Sequence, residues 1–499
     1  MKQVRVTFAA LAATLVIGGC TVTPVAITTD ELEQQRDADL EEIFSAQEPI
    51  EKPITLYEAI ARALKYNLDQ RLKIMEEALA RGELEVMRYD LLPELTAEAG
   101  YHWRNNEPGA SSEALTGPTK GEESLVASKS VQRVYYDANL TMSWNILDFG
   151  VSYVRAQQQA DQVLIMQERR RKVAQNVIQD VRDAYWRAVS AEQLLPEMDD
   201  MLVQAEDALE KSKQLETLRL QSPITPLRYQ QSLLDMIRRM WTLREDLSTA
   251  KTELAALINV MPGTPFELAD DADSMVTDPL PIYTPASELV QLALVQRPEL
   301  VEENYKHRIS ELDVRKALLE MLPGLQLDFG PRYQENRYLY NENWVQAGAG
   351  LSWNIFNLFS GPKRMKLAEA KGELADMRRM ALSMAVMTQV HLAYQRYHLA
   401  IRNNQIATEQ DSVESRIRKH VIMGQQAERE HALDVLRAKT SALVARMRRY
   451  IANAEVQNSL GRLYNSIGYD PLPQEVTDDS IDALAAAIQT RLEALPASL

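Results

Sequence analysis

The stretch 143–150 reads "SWNILDFG", and the stretch 352–361 reads "SWNIFNLFSG". Trp144 and Trp353 lie 209 residues apart. The neighbourhoods repeat as well. "PLRYQQSLLDM" (226–236) faces "VLRAKTSALVA" (435–445) at the same offset, and Pro262 faces Pro471. Upstream, "LLPELTAEAGY" (91–101) faces "MLPGLQLDFG" (321–330), with Pro93 and Pro323 separated by 230. "AIARALKYNLD" (59–69) faces "LVQLALVQRPE" (289–299) at that same 230. Chance does not hold a register over such distances, so the chain is built from two copies of one unit. The drop in offset from 230 to 209 places 21 extra residues between Pro93 and Trp144 in the first copy.

Each copy opens on an amphipathic helix. In 54–92, Thr55 followed by Glu58 forms a capping box, and Leu56, Ile60, Leu64, Leu68, Leu72 and Met75 share one face. Pro93 ends that helix. The period then changes from 3.6 to 2. Leu95, Ala97, Ala99, Tyr101 and Trp103 alternate with Thr96, Glu98, Gly100 and His102. Val134, Tyr136, Ala138, Leu140, Met142 and Trp144 alternate with Tyr135, Asp137, Asn139, Thr141 and Ser143. The second copy repeats the pattern around Leu325, Leu327 and Phe329, then around Val345, Ala347, Ala349 and Leu351. Four strands result, each apolar on one face and polar on the other. Such strands fit a half-buried soluble sheet and also a membrane barrel, and the Asn, Gln, Ser and Gly of the polar face favour a barrel with a wet lumen. Trp103, Trp144, Trp344 and Trp353 sit at strand ends, where an aromatic belt would lie. After each tryptophan phrase comes a long helical stretch, 151–217 and 362–422, with return helices at about 226–260 and 431–467. The stripe Val173, Val177, Val181, Ala184, Ala188, Ala191 and Leu195 keeps the spacing of a coiled coil, with Pro196 as a kink or a new start. Four strands cannot close a barrel, for which about eight is the minimum. Lipid forbids an open sheet edge, so several chains must pool their strands.

The first residues, "MKQVRVTFAALAATLVIGGC", have a basic start, an apolar run and small residues before Cys20. This is the pattern of a secretory signal peptide. Cys20 is the only cysteine, so no intrachain disulfide forms. "LVIGGC" resembles a bacterial lipoprotein lipobox, which implies that Cys20 is lipidated; Thr21 after it favours delivery to the outer membrane. The formal net charge of −16 argues against a nucleic-acid partner. The expected organisation is a signal peptide at 1–19, a lipidated linker at 20–53 and a first repeat at 54–262. A linker at 263–285, a second repeat at 286–471 and a C-terminal tail at 472–499 complete it.

The fold class is therefore mainly α with a membrane β-barrel: four strands per chain, long coiled-coil hairpins and two internal repeats. The order lipobox, helix, two strands, long hairpin, repeated, resembles the TolC family of outer-membrane efflux proteins, in its lipid-anchored branch. The residues that carry the resemblance are "ALKYNLD" with "ALVQRPE", the "LP" before each first strand, and the two tryptophan phrases. The turn segments "SPITPLRYQ" (222–230) and "HALDVLRAK" (431–439) add to it. The resemblance implies a homotrimer with a twelve-stranded barrel in outer-membrane lipid and an α-helical tunnel across the periplasm. It implies docking to a periplasmic adaptor protein and an inner-membrane transporter, and passive export of small molecules. Outer-membrane service in type I protein secretion and a periplasmic coiled-coil adaptor are the alternatives.

The resemblance puts the hairpin tips at Ser222, Thr225, Glu428 and His431. Where the family places a glycine six residues before the acidic turn residue, this chain has Arg219 before Thr225 and Glu428 before Asp434. Asp434 takes the position of an acidic ring at a periplasmic gate, and Arg437 takes that of its second acid. Asp434 would otherwise cap the return helix, and Arg437 would pair with it at i, i+3. The sequence has no phosphate-binding glycine loop, nucleophile elbow or helical metal box, so neither an enzyme nor a cofactor is expected. His391 and His398 share a helix face and read as a packed or solvated pair rather than a metal site. Metabolic labelling with palmitate is expected to mark the wild type and leave Cys20→Ala unmarked. Label on the alanine variant contradicts the anchor.

Overall fold

The computed structural model describes residues 24–45, 47–111, 116–118, 120–123, 126–217, 224–269, 282–426, 432–470 and 480–494. Cys20, Ser222, Glu428 and His431 lie outside the described residues. The chain is mostly helical around one small sheet, and the two copies use the same elements in the same order. The first copy contains α2 (Leu56–Tyr66), α3 (Leu68–Tyr89), β1 (Glu94–Trp103), β2 (Val134–Asn145) and α4 (Ile146–Thr217). It returns through α5 (Ile224–Ser248) and α6 (Ala250–Leu257). The second contains α7 (Ala286–Gln296), α8 (Pro298–Leu319), β3 (Gly324–Gln334), β4 (Asn343–Ser352), α9 (Phe356–Gln426) and α10 (Ala432–Ser466). Two further helices flank them, α1 (Thr29–Ser45) and α11 (Ile481–Ala494).

The four strands form one antiparallel sheet in the order β1-β2-β3-β4. Leu95 pairs with Met142, Met142 with Phe329, and Phe329 with Ala347, so the apolar series of all four strands shares one face. The tryptophan phrase marks the strand-to-helix turn. Asn145 Oδ1 accepts from the Leu147 and Asp148 amides at 3.1 and 3.3 Å, at the start of α4. Asn354 Oδ1 accepts from Phe356 N at 3.1 Å, at the start of α9. Each asparagine thus satisfies donors that a helix N-terminus leaves free. The long helices have 72 and 71 residues, which at 1.5 Å per residue gives rods of about 100 Å. Pro196 lies inside α4, which continues through it.

The two copies also build equivalent cores. In the first, Ala59, Ala63, Val177, Val181, Leu254 and Ile258 are buried together. In the second, Leu289, Ala293, Val386, Val390, Leu463 and Ile467, their counterparts by position, are buried together. Both return helices end in the same left-handed turn. Val260 N donates to Ala255 O at 2.8 Å, and Tyr469 N to Tyr464 O at 3.1 Å. This 6→1 bond needs a residue of positive φ just before its donor. Asn259 supplies it in one copy (φ 61) and Gly468 in the other (φ 75).

Three sequence expectations are corrected. The helix expected over 54–92 breaks at Asn67, whose Oδ1 accepts from Asp69 N and Gln70 N at 3.0 and 3.2 Å. Asn67 thereby starts a new helix, as Pro298 does in the second copy. The capping box is half realised: Thr55 Oγ1 accepts from Glu58 N, but the Glu58 carboxylate is buried against Arg62 at 3.0 Å. The first return helix divides at Ser248, whose hydroxyl bonds back to Glu245 O at 2.9 Å. Residues outside the two copies also pack on them. Residue Ile54 pairs in parallel with Leu268, and Ile481, Ile488 and Leu492 of α11 join the first core.

A Cβ on Gly468 would lie 2.8–2.9 Å from the Gln296 and Arg297 backbone, so two independent constraints fix this glycine. Gly468→Ala is expected to lower stability by about 1–3 kcal/mol. Asn259→Gly is expected to cost less than about 1 kcal/mol, since its conformation already suits glycine. Thermal unfolding in detergent checks both. An unchanged midpoint for Gly468→Ala contradicts the shared turn.

Candidate functional site

The sheet separates two chemistries. On its polar face His102 Nε2 lies 2.7 Å from Asp137 Oδ1, and the His102 ring stacks on Tyr135 with centroids 4.6 Å apart. Lower on that face Ser143 Oγ and Gln326 Nε2 donate to Asp328 Oδ1 at 2.8 and 3.0 Å. Glu98, Asn139 and Arg332 lie in register between these two clusters. The opposite face carries Leu95, Leu140, Met142, Leu327, Phe329, Val345 and Leu351, all exposed on the single chain. Among the described residues, nothing covers the apolar face.

The four tryptophans are exposed and fall at both ends of the sheet. Trp103 and Trp344 lie at the end away from the long helices; Trp144 and Trp353 lie beside α4 and α9. They do not all share one face. Trp103 is paired with Val134 and Trp144 with Leu327, in the apolar series. Trp344 is paired with Arg332, in the polar series. Period-2 reading of β4 already assigned even positions to the polar face, and Trp344 is even; its residue type concealed this. Trp353, just beyond β4, donates from Nε1 to Met321 O at 3.0 Å, which ties the strand end to the turn after α8.

The far ends of the long helices hold the other candidates. Asp434 lies in the first turn of α10, as its third residue rather than the residue before it. The carboxylate therefore acts on the helix dipole from within the turn. Arg437 Nη1 is 3.9 Å from Asp434 Oδ1, and both side chains are about half exposed. A groove of about 660 Å³ runs beside them between α5, α9 and α10, where Arg437 and Arg448 face Glu409 and Glu414. Thr225 stands in the first turn of α5. Asp434 and Arg437 are brought together; neither touches the polar cluster of the sheet.

Sequence reasoning missed the charged joint between the two copies. Arg297 donates to Asn465 O and Ser466 O at 3.1 and 3.2 Å and to Glu299 and Gln389 at 3.0 and 3.1 Å. Lys172 from the first copy pairs with the same Glu299 at 2.9 Å. Burial pulls Lys172 below the usual lysine range despite that pairing. Arg169–Glu302 at 2.7 Å and Arg446–Glu197 at 2.6 Å add ionic contacts along α4. The sequence signal was present: these positions break the repeat, because Glu302 faces Leu72 and Glu197 faces Ile406 in the alignment of the copies. His398 packs edge-on against Tyr394 at 4.5 Å. Among the described residues, no group of three or more His, Cys, Asp or Glu is arranged to hold a metal ion.

Comparisons with known proteins agree with this geometry. The probable outer membrane lipoprotein SilC of Salmonella typhimurium is 22% identical over 321 residues, covering 62% of this chain and 63% of that protein. The chain thus spans somewhat less than two thirds of that relative's length. The outer membrane channel CmeC of Campylobacter jejuni superposes with a TM-score of 0.62 at 15% identity, over 94% of this chain and 98% of that one. The open-state outer membrane channel MtrE of Neisseria gonorrhoeae gives 0.60 at 17% identity, over 83% and 89%. At these identities the structural likeness establishes the fold. The profile of the family "Outer membrane efflux protein" matches residues 59–260 and 289–469, the two copies in turn. With both halves of its repeat matched, the chain belongs to the outer membrane efflux protein family.

Proposed function

We propose that the protein is the outer-membrane exit duct of an efflux system, a passive conduit for small molecules built by three copies of this chain. The observation that carries the reading is the sheet: four strands, one apolar face, one polar face and two unpaired edges, continued directly into rods of about 100 Å. In hydrocarbon each free edge would strand a row of backbone groups, so β4 of one chain pairs with β1 of the next. Three chains supply twelve strands, enough for a water-filled barrel. The apolar face meets lipid and the His102, Asp137, Ser143 and Asp328 face lines the lumen.

The repeat supports the same assembly in the helices. Within a chain, α4 of the first copy packs on α8 and α10 of the second. Carrying that relation across the chain boundary puts α9 of one chain on α3 and α5 of the next. The residues this brings together are the exposed apolar ones. Leu72 and Leu79 of α3 are 54% and 66% exposed, and Leu367 and Met377 of α9 are 60% and 65% exposed. A monomer would leave this stripe in water without reason. Cys20, lipidated, would hold the N-terminus to the outer membrane. The half-exposed Asp434–Arg437 tips form the periplasmic mouth, where an adaptor protein joins the duct to an inner-membrane transporter.

Arginine at Leu140 or Leu351 is expected to cost about 2–4 kcal/mol near the membrane midplane. Arginine at Thr141 or Ser352, on the wet face, is expected to be tolerated. Assembly in outer-membrane extracts checks this, and equal damage at both parities contradicts a lipid-facing series. At the mouth, Asp434→Asn is expected to reduce cation preference and multivalent-ion block in single-channel recordings, because a ring of three carboxylates becomes neutral. Unchanged selectivity with stability lower by about 0.3–1 kcal/mol limits Asp434 to its helix-dipole role.

A further inference from the structure

We propose that the joint between α4 and α10 holds one buried water molecule, bound by four side chains drawn from both sequence copies. Gln175, Gln179 and Arg182 of α4 and Gly461 and Tyr464 of α10 line a small cavity, closed by Tyr469 and by Leu492 of α11. About 20 Å³ of it accommodates a water-sized sphere, room for one water. Four buried polar atoms of its lining have no hydrogen-bond partner among the described residues: Gln175 Oε1, Gln179 Oε1, Arg182 Nε and Tyr464 Oη. Four such atoms on one cavity are costly unless something in it answers them.

The donor and acceptor character of each atom is fixed by its neighbours. Gln175 Nε2 donates to Gly468 O and Tyr469 O at 3.2 and 3.1 Å, two carbonyls that only accept. Its Oε1 is therefore the atom turned to the cavity. Gln179 is fixed by a chain. Asn458 Nδ2 donates to the Asp183 carboxylate, so Asn458 Oδ1 accepts, and Gln179 Nε2 donates to it. That leaves Gln179 Oε1 as a second acceptor. Arg182 Nε only donates. Burial pushes the Tyr464 phenol above its ordinary range, so it stays a neutral hydroxyl able to give or take one bond.

The site therefore presents two strict acceptors, one strict donor and one hydroxyl. A halide would face two carbonyl oxygens, and a metal cation would face a guanidinium. Water alone among small species both donates two bonds and accepts two. Glycine at 461 keeps the space: a Cβ there would lie 2.5 Å from Gln179 Oε1 and 3.0 Å from Arg182 Nε. The counterpart positions in the repeat carry Met384, Thr388, His391, Thr252 and Ala255, which cannot build the same site. The water thus locks the joint inside each chain and has no equivalent at the joint between chains.

An experimental structure of the full chain, at a resolution that shows ordered water, tests this. Density within hydrogen-bond distance of all four atoms in every protomer is expected, with no anomalous peak there after a bromide soak. In Gly461→Ala that density is expected to vanish. A direct bond from Arg182 Nε to Gln179 Oε1 with nothing between them overturns the proposal, as does a bromide peak, which makes the occupant an anion. Density unchanged in Gly461→Ala also overturns it. Should that variant fail to fold, the wild-type density decides alone.

Discussion

A β-sheet cannot end in hydrocarbon, and most of this architecture follows from that constraint. Among the described residues, no strand pairs with the outer edges of β1 and β4. Water could serve them in a soluble protein, but lipid cannot. The apolar face across Leu140, Phe329 and Leu351 requires lipid, so the edges must be met by other strands. In the proposed assembly, neighbouring copies of the chain supply those strands. In that assembly three sheets close on one another, and the helices that leave them at Asn145 and Asn354 leave as a ring. The tunnel is thus a consequence of the barrel, passed on through two asparagine-capped turns.

The internal repeat then decides how the ring is made. In the proposed trimer six helical hairpins meet at two kinds of joint. Inside a chain the joint between copies combines a buried apolar seam, with Leu194 and Met198 against Leu443 and Met447, and ion pairs, with Arg169–Glu302, Arg446–Glu197 and the Arg297 network. The positions equivalent to these on the outer flanks are Leu72 with Arg378 and Ile406 with Ile237. Charged pairs form where the chain itself holds the partners in place. Apolar surfaces serve where separate chains must find each other, since burying them supplies a driving force that solvated ion pairs do not. In the proposed trimer each chain folds around its own joint, and the exposed stripes then associate.

Much of this was legible in the sequence because periodicity and repetition report buried faces. The stripe from Val177 to Ala191 marked the core of α4, and the period-2 series gave the strands and their faces. The order of elements was legible because each appears twice. What escaped was what one residue does in three dimensions. Asn67 reads as an ordinary polar position within a helical pattern, yet its side chain ends one helix and starts another. Trp344 reads as a belt residue by type, while its parity puts it with Arg332. The strap before α2 and the helix α11 carry too little periodicity to announce that they pack on the first core. The ionic joint was visible only as failures of the repeat, and a failed repeat does not name its partner.

In the proposed trimer the relation between the two copies continues across the chain boundary. Gln158 of α4 donates to Ile309 O of α8 at 3.1 Å, and the equivalent positions are Leu367 and Leu79. Cysteines at Leu79 and Leu367 of one chain, treated in membranes with a short bismaleimide, test that continuation. The account predicts covalent trimers from the double variant and none from either single variant. Cross-linking that stays within one chain, or stops at dimers under complete reaction, would contradict it.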